Sequence, residues 1–270
     1  MRLVFFVVVV LLALQDAVQP PPPALGLDPF YKKHLDAAGL PVVTSEKVPD
    51  AALLEAQAIV VRMTSKRPDV LTSMIEHKTR VAIMAKTEVT TDIPEHRDLN
   101  IAFPTTDWNT CCRGVGATLV RPACSGTEEN LLQLDDDRYR GESILIHEFG
   151  HTMLVMGLDG MEPRFRRDLS ATYEDAMGKG LFKNTYAATN ADEYWAEGVQ
   201  DWFDANLKAT PANGIHNEIG ARSELKAYDP ALATLLEKVF GDDEWRWKPG
   251  RRKKYIVKKQ SVMSGSRGLR

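Results

Sequence analysis

The sequence lacks a strong excess of either charge, and it lacks any long uninterrupted hydrophobic run. Its 270 residues include 34 basic and 37 acidic side chains, which give a formal net charge of −3. This balance gives no indication of a nucleic-acid partner, since such proteins carry a basic surface. The apolar segment at residues 3–14 is shorter than the roughly 20 residues that a membrane-spanning helix needs. We therefore predict no stable membrane anchor.

The same short apolar segment has the outline of a secretory signal peptide. It follows Met1-Arg2 and precedes a short polar stretch and a cluster of prolines at residues 20–23. We expect residues 1–19 to be the signal peptide and residues 20–24 to form a stiff, proline-rich linker. The protein is then expected to be secreted, or periplasmic if its source is bacterial.

Cysteine is scarce, with only Cys111, Cys112 and Cys124 in the chain. An exported protein favours one disulfide and one remaining thiol. Because adjacent cysteines rarely pair, we expect Cys124 to bond with Cys111 or Cys112. A three-cysteine zinc site is the alternative, and it is disfavoured because no histidine lies nearby and the spacing is not that of a zinc knuckle.

The segment at residues 144–152 carries two histidines four positions apart, with a glutamate beside the first. On a helix, residues i and i+4 lie one above the other, so His147 and His151 can reach one cation while Glu148 projects beside it. Zinc lowers the pKa of a bound water toward about 7, and a neighbouring carboxylate can take its proton. The pattern therefore predicts a zinc hydrolase with Glu148 as general base.

A third histidine at the metzincin spacing is missing, because Leu154 and Gly157 occupy the glycine and histidine positions of that pattern. The remaining histidines share polar surroundings and have no partner at ligand spacing. We interpret them as surface residues: His34, His77, His96 and His216. The third zinc ligand is therefore expected to be a distant carboxylate.

Carboxylates recur at intervals of four residues in the segment at 190–203, at Glu193, Glu197 and Asp201. This spacing places them near one face of a helix whose aromatic residues face elsewhere. One carboxylate can complete a His-His-Glu ligand set while the next orients a ligating histidine. The spacing does not choose between Glu193 and Glu197, and a solvated acidic face is the alternative interpretation.

The chain resembles the lethal-factor-type zinc peptidases, a gluzincin group that includes the bacterial Pro-Pro endopeptidases. The resemblance covers roughly residues 141–206 and rests on His147-Glu148-Phe149-Gly150-His151, Tyr186 and Glu193-Tyr194-Trp195-Ala196-Glu197. It implies that Glu193 is the third zinc ligand, that Glu197 is the carboxylate behind the ligands, and that Tyr186 stabilises the oxyanion. From the residues alone, Tyr186 lies in a short polar loop before the acidic helix, and packing is its alternative role.

The order of predicted elements, strands first and helices after, indicates an α+β fold. We expect a small mixed sheet in the N-terminal half, packed on the active-site helix, followed by a mostly helical C-terminal half. The predicted strands are 80–87, 116–120 and 130–134. The predicted helices are 51–64, 69–77, the motif helix ending near residue 157, 164–179, 192–206 and 230–240. The domain implied by the resemblance, a zincin-like metallopeptidase, is expected at residues 25–245.

The sequence thus predicts a secreted zinc metallopeptidase with a peptide or protein substrate. A zinc hydrolase acting on a non-peptide amide is one alternative, and an exported, non-catalytic zinc-binding protein is another. The intact Glu148 argues against the last, because a structural zinc site needs no base. Residues 114–120 are either an edge strand that pairs with the substrate or an ordinary strand. The basic residues at 246–270 predict a flexible tail with, at most, weak attraction to an anionic surface.

Overall fold

A computed structural model describes residues 17–249. Residues 1–16 of the signal peptide predicted at 1–19, and residues 250–270 of the basic tail predicted at 246–270, lie outside the described residues. Within the described range, no helix combines the length and apolar character that crossing a bilayer requires. Residues 17–24 pack against the fold in part, because Gln19 exchanges backbone hydrogen bonds with His34 and a 3-10 helix begins at Pro23.

The sheet has four strands in the order β1-β2-β3-β4. The strands are β1 (Lys33–Ala37), β2 (Leu40–Thr44), β3 (Arg80–Met84) and β4 (Ala123–Thr127). The first two form an antiparallel hairpin, whereas β3 pairs in parallel with both β2 and β4. The larger apolar cluster lies between one face of this sheet and the helices, and a smaller cluster around Tyr31 and Ile93 covers the other face.

Helices make up most of the remaining structure. They are α1 (Asp50–Thr64), α2 (Pro68–Glu76), α3 (Leu99–Ala102), α4 (Trp108–Cys111), α5 (Glu128–Leu131), α6 (Ile144–Met153), α7 (Asp159–Met161), α8 (Pro163–Gly178), α9 (Ala191–Trp202), α10 (Arg222–Tyr228) and α11 (Pro230–Phe240). Helix α6 continues into a π-helical turn, Leu154–Leu158. Short 3-10 helices occur at Thr90–Asp92, Pro94–His96 and Tyr186–Ala188. The structure therefore confirms the α+β class with a small mixed sheet.

The motif helix α6 is capped at its N-terminus and packs against α9 in its middle. Ser143 caps it by accepting a hydrogen bond from the backbone of Ile146, and the Asn130 side chain accepts one from the backbone of Ile144. A Cβ on Gly150 would lie only 3.2 Å from the Val199 side chain, so a glycine lets the two helices approach closely. This crossing sets how α6 and α9 face each other.

Two predicted strands are wrong, and three observed strands were not predicted. Residues 130–134 begin inside α5, where Asn130 donates to Asp137 and to the backbone oxygen of Glu142 instead of joining a sheet. Residues 116–120 make no strand; only Val115 pairs, through an isolated bridge to Ser125. Strand β4 was not predicted because its first four residues are small, and only Thr127 has the β-branched side chain typical of strands. The hairpin β1-β2 turns at Ala38 and Gly39, which is not a common turn pair.

The predicted disulfide is also wrong, because Cys111 bonds to its neighbour Cys112 and Cys124 is a free, buried thiol. The reason lies in the sheet. Cys124 is in β4 with its side chain in the apolar layer between the sheet and the helices, where burial raises the pKa of its thiol. Cys111 ends a short exposed helix outside that layer, so the two cannot meet without unpairing β4.

Two histidines predicted at the surface are buried instead. His34 lies in β1, and His96 is fully enclosed, with its Nε2 3.0 Å from the backbone oxygen of Ala123. Burial lowers the pKa of both imidazoles, so each is suited to the core as a neutral ring. His77 is exposed as predicted, and His216 is largely enclosed behind α9.

The packed structure also extends past the predicted domain boundary at residue 245. Trp247 is buried, and its backbone nitrogen donates to the backbone oxygen of Phe203. The first residues of the predicted tail therefore include a packed tryptophan, and the flexible tail at residues 246–270 otherwise stays a prediction.

Candidate active site

Three side chains from two helices converge at the opening between α6 and α9. His147 and His151 project from α6 and Glu193 from the first turn of α9. The Nε2 atoms of the two histidines are 3.1 Å apart, and each lies 3.2 Å from Oε2 of Glu193. Among the described residues, this is the one group of three or more whose ligand atoms lie close enough to hold a metal ion.

The geometry of this His-His-Glu group fits a tetrahedral zinc ion. Bonds of about 2.0–2.2 Å in such a site place neighbouring ligand atoms about 3.3–3.6 Å apart. The observed separations of 3.1–3.2 Å are close to that value and nearly equal on all three sides. Two imidazole nitrogens and one carboxylate oxygen are also the donor set that catalytic zinc commonly uses. The residues present therefore fit zinc with a fourth position open to the cleft.

Within the group, the acidic side chains and the histidines shift one another's pKa values toward the charged forms. Burial disfavours the charged form of His147, but its hydrogen bond with Glu193 and the charges of Glu148 and Glu197 outweigh this and raise its pKa to about 10. Burial alone would raise the pKa of Glu193, yet the hydrogen bonds from His147 and His151 hold it well below its usual value. The pocket therefore stabilises positive charge at the point where the three side chains meet.

Glu148 lies beside the His-His-Glu group, against the segment 114–117. A Cβ on Gly114 would be 2.8 Å from Cγ of Glu148 and 3.1 Å from its Oε1, so the backbone of this segment lies directly against the carboxylate. Burial raises the pKa of Glu148, although the positive charges of the two histidines oppose this shift. The carboxylate is thus held in one place by backbone that only glycine allows so near.

The segment 114–117 flanks the cleft without being the predicted strand. Its backbone is held at both ends, since Ser125 donates to the backbone oxygen of Val115 and Ala117 donates to Oγ1 of Thr152 in α6. Beyond it, residues 118–121 form a turn whose Leu119 and Val120 are exposed.

Tyr186 faces the same cleft from the 3-10 helix that precedes α9. Its ring stacks on that of His147 with 6.3 Å between centroids, and its backbone nitrogen donates to the backbone oxygen of Ile215. Burial and the charge and hydrogen bond of Glu193 raise the pKa of its hydroxyl, so the group remains protonated. The side chain is 41% exposed, which leaves it accessible to a molecule in the cleft.

Comparison with known proteins finds similarity to a solved structure but not to a sequence family. No family model matches the chain, and no curated protein matches it in sequence. Among solved structures, the chain is similar to the Pro-Pro endopeptidase PPEP-2 from Paenibacillus alvei. The two share 18% sequence identity and a TM-score of 0.47, over 74% of this chain and 97% of that one.

A buried acidic group lies behind the ligands, on the side away from the cleft. Glu197 has Oε1 3.5 Å from Nδ1 of His147, and its other oxygen accepts a hydrogen bond from Asn206. The Asn206 amide also donates to Asp201, whose pKa burial and the charge of Glu197 raise well above the usual range. Burial and Glu197 likewise raise the pKa of Glu142 to about 7.

Three residues around His147 went unrecognised in the sequence: Glu142, Gln200 and Asn206. For Gln200 a signal existed, because positions 193, 197 and 200 follow the i, i+4, i+7 spacing of one helical face. An amide is not among the usual zinc ligands, so Gln200 does not stand out in a pattern of possible metal ligands. Glu142 and Asn206 lie outside the two helices, and no periodicity connects them to the site.

Proposed function

We propose that the protein is a zinc-dependent metallopeptidase, with His147, His151 and Glu193 as the metal ligands. The observation that carries this proposal is the near-equilateral arrangement of three donor atoms at 3.1–3.2 Å, with the Glu148 carboxylate beside it. A purely structural metal site has no need of this carboxylate. Secretion, proposed from the apolar segment at residues 3–14, remains part of the proposal.

Bound zinc would acidify a coordinated water and polarise a substrate carbonyl. The protein residues then have separate tasks. Glu148 takes the proton of the attacking water and passes it to the leaving amine nitrogen. Tyr186 donates its hydroxyl proton in a hydrogen bond to the carbonyl oxygen as negative charge develops there. Glu197 places a negative charge behind His147 and so favours the electron-rich form of this ligand.

The substrate class follows from the shape of the cleft wall. The segment 114–117 runs beside Glu148, where its two glycines let the backbone lie close to α6. We propose that an extended substrate chain pairs with this backbone. Main-chain pairing of this kind binds peptides with little dependence on side chains. We therefore propose a peptide or protein substrate, cleaved within the chain.

The test is a cleavage assay on a denatured protein mixture, with and without a zinc chelator. We expect wild-type cleavage to stop with chelator and to return with added zinc. Glu148→Ala should bind zinc yet cleave nothing, whereas the matched control Glu174→Ala, on the exposed face of α8, should match wild type. Cleavage that survives Glu148→Ala would refute the assignment of the base. Zinc bound by wild type without any cleavage would favour a non-peptide amide or a non-catalytic role.

A further inference from the structure

The Gln200 side chain is enclosed between α6 and α9, directly behind His147. It is 1% exposed, and its Oε1 lies 2.8 Å from Nδ1 of His147. The amide nitrogen on its other side faces oxygen atoms alone: Oε2 of Glu142 at 3.4 Å, the backbone oxygen of Ser143 at 3.3 Å and that of Ala205 at 3.4 Å.

These three acceptors determine which way the amide points. An amide flipped by 180° would place its oxygen among three other oxygens and lose all three of these donor contacts, gaining at most one, to Nδ1 of His147. With the orientation fixed, Oε1 can only accept at His147. The Nδ1 atom of His147 must then carry a proton. In the neutral ring that a metal would bind, the lone pair is therefore on Nε2, which faces His151 and Glu193.

Glu197 is the other group near Nδ1, but its geometry is weaker. Its Oε1 lies 3.5 Å away, compared with 2.8 Å for Gln200, and its Oε2 is engaged by Asn206. A neutral amide also suits the pocket better than a third carboxylate would. An acid at position 200 would face Glu142, whose Oε2 lies 3.4 Å from the amide nitrogen, and like charges at that distance repel.

We propose that Gln200 is a positioning residue, whose amide oxygen holds His147 in the Nδ1-protonated tautomer and so presents Nε2 to the metal. This inference rests on the proposed zinc site and deepens it. The partner of the second nitrogen of a zinc-binding histidine typically changes metal affinity by 10–100-fold.

Two substitutions separate the acceptor from the donor of Gln200. Gln200→Met keeps the length of the side chain but removes both, whereas Gln200→Glu keeps an oxygen for His147 and removes the NH₂ donor. We expect zinc affinity, measured on the full chain by competition with a chelator, to fall about 10–100-fold in Gln200→Met. In Gln200→Glu it should stay near or above the wild-type value. Resistance to urea should fall in both variants, because both lose the donor contacts.

The outcomes distinguish a failure of the proposed zinc site from a failure of the proposed role of Gln200. If wild type binds no zinc, the proposed function fails before Gln200 is tested. If wild type binds zinc and both variants lose affinity in parallel with their stability, Gln200 is merely structural and the inference is overturned. An unchanged affinity in Gln200→Met overturns it too. Should a variant not fold, nitrogen NMR of zinc-loaded wild type decides, since a proton found on Nε2 of His147 contradicts the proposal.

Discussion

Helices α6 and α9 both supply side chains to the site, but they do so in different environments. On α6, the residues of the site lie within two turns and face the cleft. On α9, the acidic residues become more buried toward the end of the helix: the side-chain exposure is 17% for Glu193 and 8% for Glu197, and Asp201 is buried. The carboxylates of α9 recur every four residues, yet Glu193 contacts the two histidines of α6 whereas Asp201 is enclosed in the core.

The difference shows that helical spacing predicts the face of the helix on which a residue lies, but not how deeply that residue is buried. Burial raises the pKa of Asp201 strongly, whereas the histidines of α6 lower that of Glu193. Chemically identical groups one or two turns apart therefore differ in charge preference. The substitutions below test this contrast between α6 and α9.

The largest expected effect is on the ligands of α6. His147→Ala should abolish stoichiometric zinc binding, because two remaining ligands make a poor tetrahedral site. Glu148→Ala, on the next residue of the same helix, is the control and should retain the metal. Metal analysis of both purified variants is the measurement. Equal zinc in wild type and His147→Ala would contradict the ligand assignment.

A second comparison separates two carboxylates of α9. Glu193→Gln should weaken zinc binding by much more than 100-fold, since it replaces a proposed ligand. Glu197→Gln should cost at most the 10–100-fold typical of a partner outside the ligand set, because its oxygen lies 3.5 Å from His147. Chelator competition gives both values. The reverse ranking would move the ligand one turn along α9.

A third prediction concerns the hydroxyl of Tyr186, which lies just before α9. Tyr186→Phe should lower kcat and kcat/KM by similar factors, on the order of 10²–10³, if the hydroxyl acts only as charge develops. Zinc content and folding should be unchanged, because the ring that stacks on His147 is preserved. Steady-state kinetics on any cleaved peptide provides the test, and near wild-type turnover would remove Tyr186 from the mechanism.

The smallest expected effect is at the crossing of the two helices. Gly150→Val should destabilise the fold by about 1–3 kcal/mol, because a Cβ there would lie 3.2 Å from Val199. Adding Val199→Ala makes room for the larger side chain and should restore much of the lost stability, so the two changes should couple in a double-mutant cycle. Urea unfolding of the four proteins measures this. Simple additivity would show that the helices can separate without cost.

Local sequence patterns determined the parts of the molecule that depend on short-range periodicity. The helices at 51–64, 69–77, 164–179 and 230–240 were predicted within one residue at each end, and the strand predicted at 80–87 begins at residue 80 but ends three residues early, at Met84. The motif of α6 and the amphipathic pattern of α9 indicated which residue types would carry the chemistry. These features are readable because a helix satisfies its backbone hydrogen bonds within a few residues.

Tertiary structure decided what depends on distant pairing. Strands β2 and β4 pair with β3, which is about 40 residues away in the sequence from each, and the small residues at the start of β4 carry no strand signal of their own. The pairing of Cys111 with Cys112 follows from the burial of Cys124 in that strand. From the residues alone, Glu193 and Glu197 were equivalent; the crossing at Gly150 brings Glu193 to the histidines and Gln200 behind His147. Spacing along one helix contains no information about a second helix, and the contact between them placed the site.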